Sequence, residues 1–207
     1  MNKGEVISLF STPVYVSQIN ADTRPMHDYA SRCKYYQPEK GLWLSEDYYL
    51  TDLVPGLKEL ISEHVDNYLY NILEVEESFK YVYSDSWFVK MNTGGCSLDH
   101  DHPNSLYSGI YYFDTEYTNA IHFKLPSIST GINISRHTIK YKRINQYNCK
   151  SINVTPESGT IILFPSNLYH SVDPNTSSRD RYTFAFNILP RNISCDIVGQ
   201  RIQPEKD

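Results

Sequence analysis

From residue 79 onward the chain breaks into short β-branched and aromatic runs separated by turn residues, and this rhythm limits the fold more than any other feature. Strands are expected over 80–91, 105–113, 119–124, 137–141, 150–154, 159–164 and 181–189. Short runs at such intervals, following a helix, make an antiparallel sandwich or barrel. The helix is expected over 52–77, where Leu57, Leu60, Ile61, Val65, Tyr68 and Ile72 recur at three- and four-residue steps after the start signal of Asp52 and Pro55. His64 falls on the same apolar face and reads as a satisfied core residue. An earlier strand region, 5–19, contains Pro13, which confines it to a sheet edge or breaks it. Residues 20–50 are polar, rich in Tyr and without a period, and read as loop with a helical turn or two. No repeat or linker divides the chain.

At 207 residues the chain suits one domain: a strand and helix in 1–78 packed on a core of 79–190, with a peripheral tail at 191–207. The net charge of −5 argues against a nucleic-acid partner, which needs many cations against phosphates. The charge is uneven, however. No acidic residue occurs from Thr118 to Pro156, while Lys124, Arg136, Lys140, Lys142, Arg143 and Lys150 lie within it. This reads as a solvated basic hairpin, or as a flap that meets an anionic substrate. Cys33, Cys96, Cys149 and Cys195 form no Cys-x-x-Cys pair, so reduced thiols and a cytoplasmic protein are expected. The apolar stretch at 6–10 is too short for a signal peptide or membrane span.

Residues 97–112 carry the densest chemistry. His100 and His102, spaced i, i+2, share one face of an extended chain, while Asp99 and Asp101 share the other. Two imidazoles so placed can hold one metal ion, although a solvated polar loop has the same composition. His170 follows the buried strand at 159–164 and a Pro-Ser-Asn turn, and antiparallel barrels bring such distant positions together. Arg181 opens the next strand and can hold a carboxylate with its planar fork, as lysine cannot. Trp87 and His122 read as barrel core or lining, and the 18 tyrosines as compositional.

These strings together resemble the iron(II)- and 2-oxoglutarate-dependent oxygenases, in particular small members from bacteria and phages. They are LFSTPV at 9–14, HDHPNS at 100–105, SGIYY at 108–112, LFPS at 163–166, His170, Arg181 and FN at 186–187. The resemblance implies a double-stranded β-helix, or cupin-like jelly roll, mainly β with one flanking α-helix. It further implies Fe(II) and 2-oxoglutarate as cofactors, His100 and His170 as iron ligands, and Arg181 with Thr183 and Tyr112 around the distal carboxylate of 2-oxoglutarate. Arg179 is the competing partner for that carboxylate. The usual triad has a carboxylate at the i+2 position, where this chain has His102. Either His102 is the third ligand, or Asp99 or Asp101 swings in. In the first case the two aspartates become outward groups, or groups that orient an imidazole through its other nitrogen.

The activity implied is 2-oxoglutarate decarboxylation coupled to hydroxylation of a small-molecule or peptidyl substrate. Two readings compete: a three-histidine cupin-type dioxygenase or isomerase that does not use 2-oxoglutarate, and a non-enzymatic jelly-roll binding module.

Overall fold

A computed structural model describes residues 4, 6, 11–115, 119–124 and 140–191. Its strands form two sheets. The larger takes β1 (Tyr15–Gln18), β2 (Tyr35–Glu39), β3 (Leu42–Ser45), β4 (Tyr81–Met91), β6 (Tyr107–Asp114), β9 (Thr160–Pro165) and β11 (Arg181–Pro190) in the order β1-β9-β6-β11-β4-β3-β2. The smaller takes β5 (Ser97–His100), β7 (Ile121–Lys124), β8 (Ser151–Val154) and β10 (His170–Val172) in the order β5-β10-β7-β8. Every pairing between these strands is antiparallel.

The large sheet is buried on both faces, and strand alternation sorts its residues between two cores. Ile161 and Leu163 of β9, with Tyr111 and Phe113 of β6 and Phe184 and Phe186 of β11, pack under the helices. Ile162 and Phe164, with Tyr112, Met91 and Leu42, face Ile121, Phe123 and Val172 of the small sheet. This two-sided burial is why 159–164 reads as an unbroken apolar run rather than an alternating one.

Three helices cover the outer face: α1 (Arg24–Ala30), α2 (Leu50–Leu53) and α3 (Leu57–Asp66), the last continued by a π-helical segment, Asn67–Ile72. The single helix expected over 52–77 is therefore divided. Pro55 holds Val54 extended (φ −95°, ψ 113°), and Gly56 turns with φ 75° before α3 begins. The register of the apolar stripe survives as far as Tyr68, since Leu57, Ile61, Val65 and Tyr68 are buried, but the π-helical segment shifts it there: Leu69 is buried and Ile72, expected on the stripe, is exposed. His64 is satisfied as expected, with its Nδ1 2.9 Å from the Tyr15 hydroxyl.

Residues 20–50 are more ordered than their composition suggests, holding α1 and the β2–β3 hairpin. Pro38 hides β2 in the sequence but is tolerated because β2 is an edge strand. Around Pro13 the chain behaves as expected: among the described residues of 5–19, Tyr15–Gln18 pair as a strand at the opposite edge, while residues 5 and 7–10 lie outside the described residues. Residues 137–139 of the strand expected over 137–141 lie outside the described residues, as does the tail beyond Arg191. No described helix is long and apolar enough to cross a membrane.

Candidate metal and 2-oxoglutarate site

Strand pairing assembles the histidines. His100 ends β5 and is the register partner of His170 in β10, which brings their rings to 4.2 Å between centroids. His102 lies just past β5, and its backbone N–H donates to the Ser166 carbonyl at 2.8 Å. That bond turns its ring to 5.2 Å from His100 and 5.3 Å from His170, nearly parallel to the latter. One ligand atom from each of the three lies within 4.8 Å of the others.

The tautomers are set by the backbone. Nδ1 of His100 is 2.8 Å from the Leu98 carbonyl, and Nδ1 of His170 is 2.9 Å from the Leu168 carbonyl. A carbonyl only accepts, so each Nδ1 carries the hydrogen and leaves Nε2 with a free lone pair. Burial pushes His102 down to about 4 and His170 down to about 3, with His100 adding to both shifts, so these two imidazoles are neutral near pH 7. Neutral, converging imidazoles suit a borderline transition metal such as iron.

The aspartates stand elsewhere. Asp99 pairs with Lys124, and neither Asp99 nor Asp101 joins the cluster. Of the two roles expected for them, Asp99 takes the outward one, and the imidazoles of His100 and His170 are oriented instead by carbonyls two residues upstream. His122 alternates outward on β7 between the buried Ile121 and Phe123, with Nε2 2.8 Å from Asp173 Oδ1. It is neither core nor lining.

The histidines face a cavity of about 270 Å³ between the sheets. Arg181, 4% exposed, enters it from β11. One guanidinium nitrogen, Nη2, is 3.0 Å from Met91 Sδ, whereas Nε and Nη1 are buried without a hydrogen-bond partner. The Tyr112 hydroxyl is also buried and unpaired, and its ring lies 5.9 Å from the Arg181 guanidinium carbon. Burial lowers the pKa of Arg181 and pushes Tyr112 up to about 12, an upward shift that Arg181 opposes. Three orphaned donors at a buried cation fit a carboxylate, because leaving them unpaired is costly. Thr183, the next inward residue of β11, lines the same cavity. Arg179 is not among the lining residues; it pairs with Asp114 at 3.5 Å.

The family described as "Putative 2OG-Fe(II) oxygenase" matches residues 85–187, a span that contains all three histidines, Tyr112 and Arg181. The chain belongs to the 2OG-Fe(II) oxygenases. It is thus an iron(II)- and 2-oxoglutarate-dependent enzyme. No curated protein matches this oxygenase by sequence. Solved structures match it in fold. SnoK, a non-heme alpha ketoglutarate dependent carbocyclase from nogalamycin biosynthesis, superposes with a TM-score of 0.58 at 12% identity over 86% of this chain and 79% of its own. HygX from Streptomyces hygroscopicus, solved with nickel, 2-oxoglutarate and hygromycin B bound, has a TM-score of 0.54 at 12% identity over 86% and 83%. A Pseudomonas putida prolyl-4-hydroxylase has a TM-score of 0.50 at 11% identity over 86% and 92%. At such identities the likeness speaks for the fold, the double-stranded β-helix.

Part of this oxygenase's site was given no role by the sequence. Trp87, Ser108 and Asn187 line the cavity. Ser108 donates to Asn187 Oδ1 at 2.7 Å, and Asn187 Nδ2 donates to Asp85 Oδ2 at 3.0 Å. Ser166, whose carbonyl holds His102, lies with its Oγ 2.8 Å from Ser108 Oγ. The strings SGIYY, LFPS and FN each contribute one member, and only the folded sheet shows that they form a chain. Of the basic window's described residues, none lines the cavity.

Proposed function

We propose that His100, His102 and His170 bind the iron, that Arg181, Tyr112 and Thr183 bind the distal carboxylate of 2-oxoglutarate, and that the enzyme hydroxylates a substrate in the remaining cavity. The buried Arg181 guanidinium carries the reading. It has two orphaned nitrogens beside an orphaned Tyr112 hydroxyl, in the cavity that the three imidazoles face. A buried cation without an acceptor is a cost that an incoming carboxylate removes, so the site is organised before its ligand arrives.

The bound iron, with 2-oxoglutarate and dioxygen, supplies an oxidant for a C–H bond while 2-oxoglutarate becomes succinate and carbon dioxide. The protein's own work is positional. Leu98 and Leu168 keep two imidazole lone pairs on the metal side, and Ser166 fixes the third ring. Arg181 sets the direction of the cosubstrate, and Leu42, Val89, Phe164 and Val172 exclude water around it. Three neutral ligands leave one more positive charge at the metal than two histidines and a carboxylate would.

Anaerobic Fe(II) with 2-oxoglutarate should give a weak visible charge-transfer band in the wild type, absent in Arg181→Ala. Absence of both the band and succinate formation from the wild type rejects the assignment. The all-imidazole cluster favours one second reading, a three-histidine centre that binds substrate directly; turnover insensitive to 2-oxoglutarate would establish it. The basic window adds a substrate class. An anionic substrate should show a raised KM on Lys140→Glu and Lys142→Glu, and an unchanged KM rejects it.

A further inference from the structure

A line of oxidisable rings leads from the metal site to solvent. The Trp87 ring lies 5.9 Å from the His102 ring and 6.2 Å from the Tyr48 ring, centroid to centroid. The Tyr48 hydroxyl is hydrogen-bonded to the Tyr36 hydroxyl. Tyr36 sits on the edge strand β2 and is 39% exposed, whereas Trp87 is 9% exposed. The backbone holds the middle of this line in place. The Ser86 N–H donates to the Tyr48 carbonyl at 2.7 Å, and Tyr49 forms a bridge with Ser86, the neighbour of Trp87 on β4. Burial raises the pKa of Tyr48, with the Tyr36 hydrogen bond adding to it, so Tyr48 is a neutral phenol. A neutral phenol loses an electron readily only if its proton can also leave, and the hydrogen bond to Tyr36 offers a path.

We propose that Trp87, Tyr48 and Tyr36 form a hole-transfer route that drains an oxidised metal centre to solvent when oxygen is reduced with no substrate to attack. The proposal rests on the reading of His102 as a metal ligand. In the first step Trp87 gives one electron to the oxidised centre, and its indole N–H bond breaks, the proton going to cavity water. The neutral indolyl radical then takes an electron from Tyr48 and a proton from cavity water, restoring the N–H bond, while the Tyr48 phenolic proton leaves through the Tyr36 hydroxyl to solvent. Tyr36 passes a hydrogen atom along its hydrogen bond to the Tyr48 oxygen. A solution reductant of the ascorbate class finally gives a hydrogen atom to the exposed Tyr36 radical. Overall the metal centre gains one electron, one proton enters water and the reductant loses one hydrogen atom.

The route can be read without metal. The chain has two tryptophans, so Trp43→Phe leaves Trp87 as the one indole. Pulse radiolysis with azidyl radicals oxidises that indole in the metal-free protein. Its radical absorption should decay as phenoxyl absorption grows, at a rate independent of protein concentration. Tyr48→Phe should abolish this phase, and Tyr36→Phe should keep it but slow the quenching of the phenoxyl by ascorbate. A phase that persists in Tyr48→Phe, or that depends on protein concentration, overturns the route. In a second arm, protein with Fe(II), 2-oxoglutarate and oxygen but no substrate is digested for mass spectrometry. Oxygen addition to the Trp87 peptide should be greater in Tyr48→Phe than in wild type, and equal addition overturns the protective role. Failure of the iron and 2-oxoglutarate assignment shows separately, as absence of succinate from every form.

Discussion

Gly109 shows how a single motif residue is dictated by its neighbours. A Cβ built on it would meet Phe186 Cζ at 2.1 Å, so the glycine is required by space and not by its backbone angles. Phe186 is its register partner and is held in the core under the helices. Gly109→Ala should therefore destabilise by about 1–3 kcal/mol through overpacking, measured by urea denaturation. Arg181 is the opposite case, a residue kept against stability. Arg181→Met should make the ligand-free protein more stable by about 1–3 kcal/mol, because it removes buried donors without partners. The same variant should lose the stabilisation by 2-oxoglutarate, about 2.7 kcal/mol when the ligand is at a hundred times its Kd. Thermal denaturation with and without 2-oxoglutarate tests both; a variant less stable than wild type when ligand-free rejects the first. The histidines and Arg181 stand out in the sequence because their chemistry is distinctive. The unpaired hydroxyl of Tyr112 does not, because its state depends on what surrounds it.

Among the elements, α3 is fastened to β1 through a histidine. Burial lowers the pKa of His64, and its Nδ1 is hydrogen-bonded to the Tyr15 hydroxyl at 2.9 Å. The unfolded chain takes up the proton near its ordinary value of 6.5, while the folded chain resists until lower pH. Below that value the unfolded state thus binds more protons, and folded stability falls as pH drops from about 6.5 toward the lowered folded value. His64→Gln should reduce this slope, leaving the part that the likewise depressed His102 and His170 contribute, read from urea midpoints between about pH 7 and 5; an unchanged slope means that His64 is not one of its sources. The long strands β4, β6, β9 and β11 were legible from alternation and β-branching, whereas the break between α2 and α3 was missed, because Pro55 reads equally well as a helix start and as a helix break. The short strands β5 and β10, with 4 and 3 residues, were not legible. So few residues carry no period, and they become strands only by pairing, β5 with β10 and β10 also with β7.

The molecule as a whole is built to bring residues from both halves of the chain to one cavity. His100 and His170 meet across the β5–β10 pair, and Arg181 reaches the same space from the large sheet. Because the site spans both sheets, loading it should stiffen them together. Fe(II) with 2-oxoglutarate should slow amide hydrogen exchange in both β10 and β11, while His170→Ala should abolish the effect in both. Protection confined to one sheet would argue against a shared site.

The sequence by itself determined which residues have the chemistry to act, because imidazoles, a guanidinium and a turn before a strand have the same character wherever they lie. It also determined the strand-rich class, through periods that local geometry imposes. Only the tertiary structure decided which carbonyls set the imidazole tautomers, that Asp99 faces Lys124 and not the cluster, and that Trp87 connects His102 to Tyr48. These are contacts between segments far apart in the chain. Their existence depends on sheet register, and no local pattern of residues encodes register across two sheets.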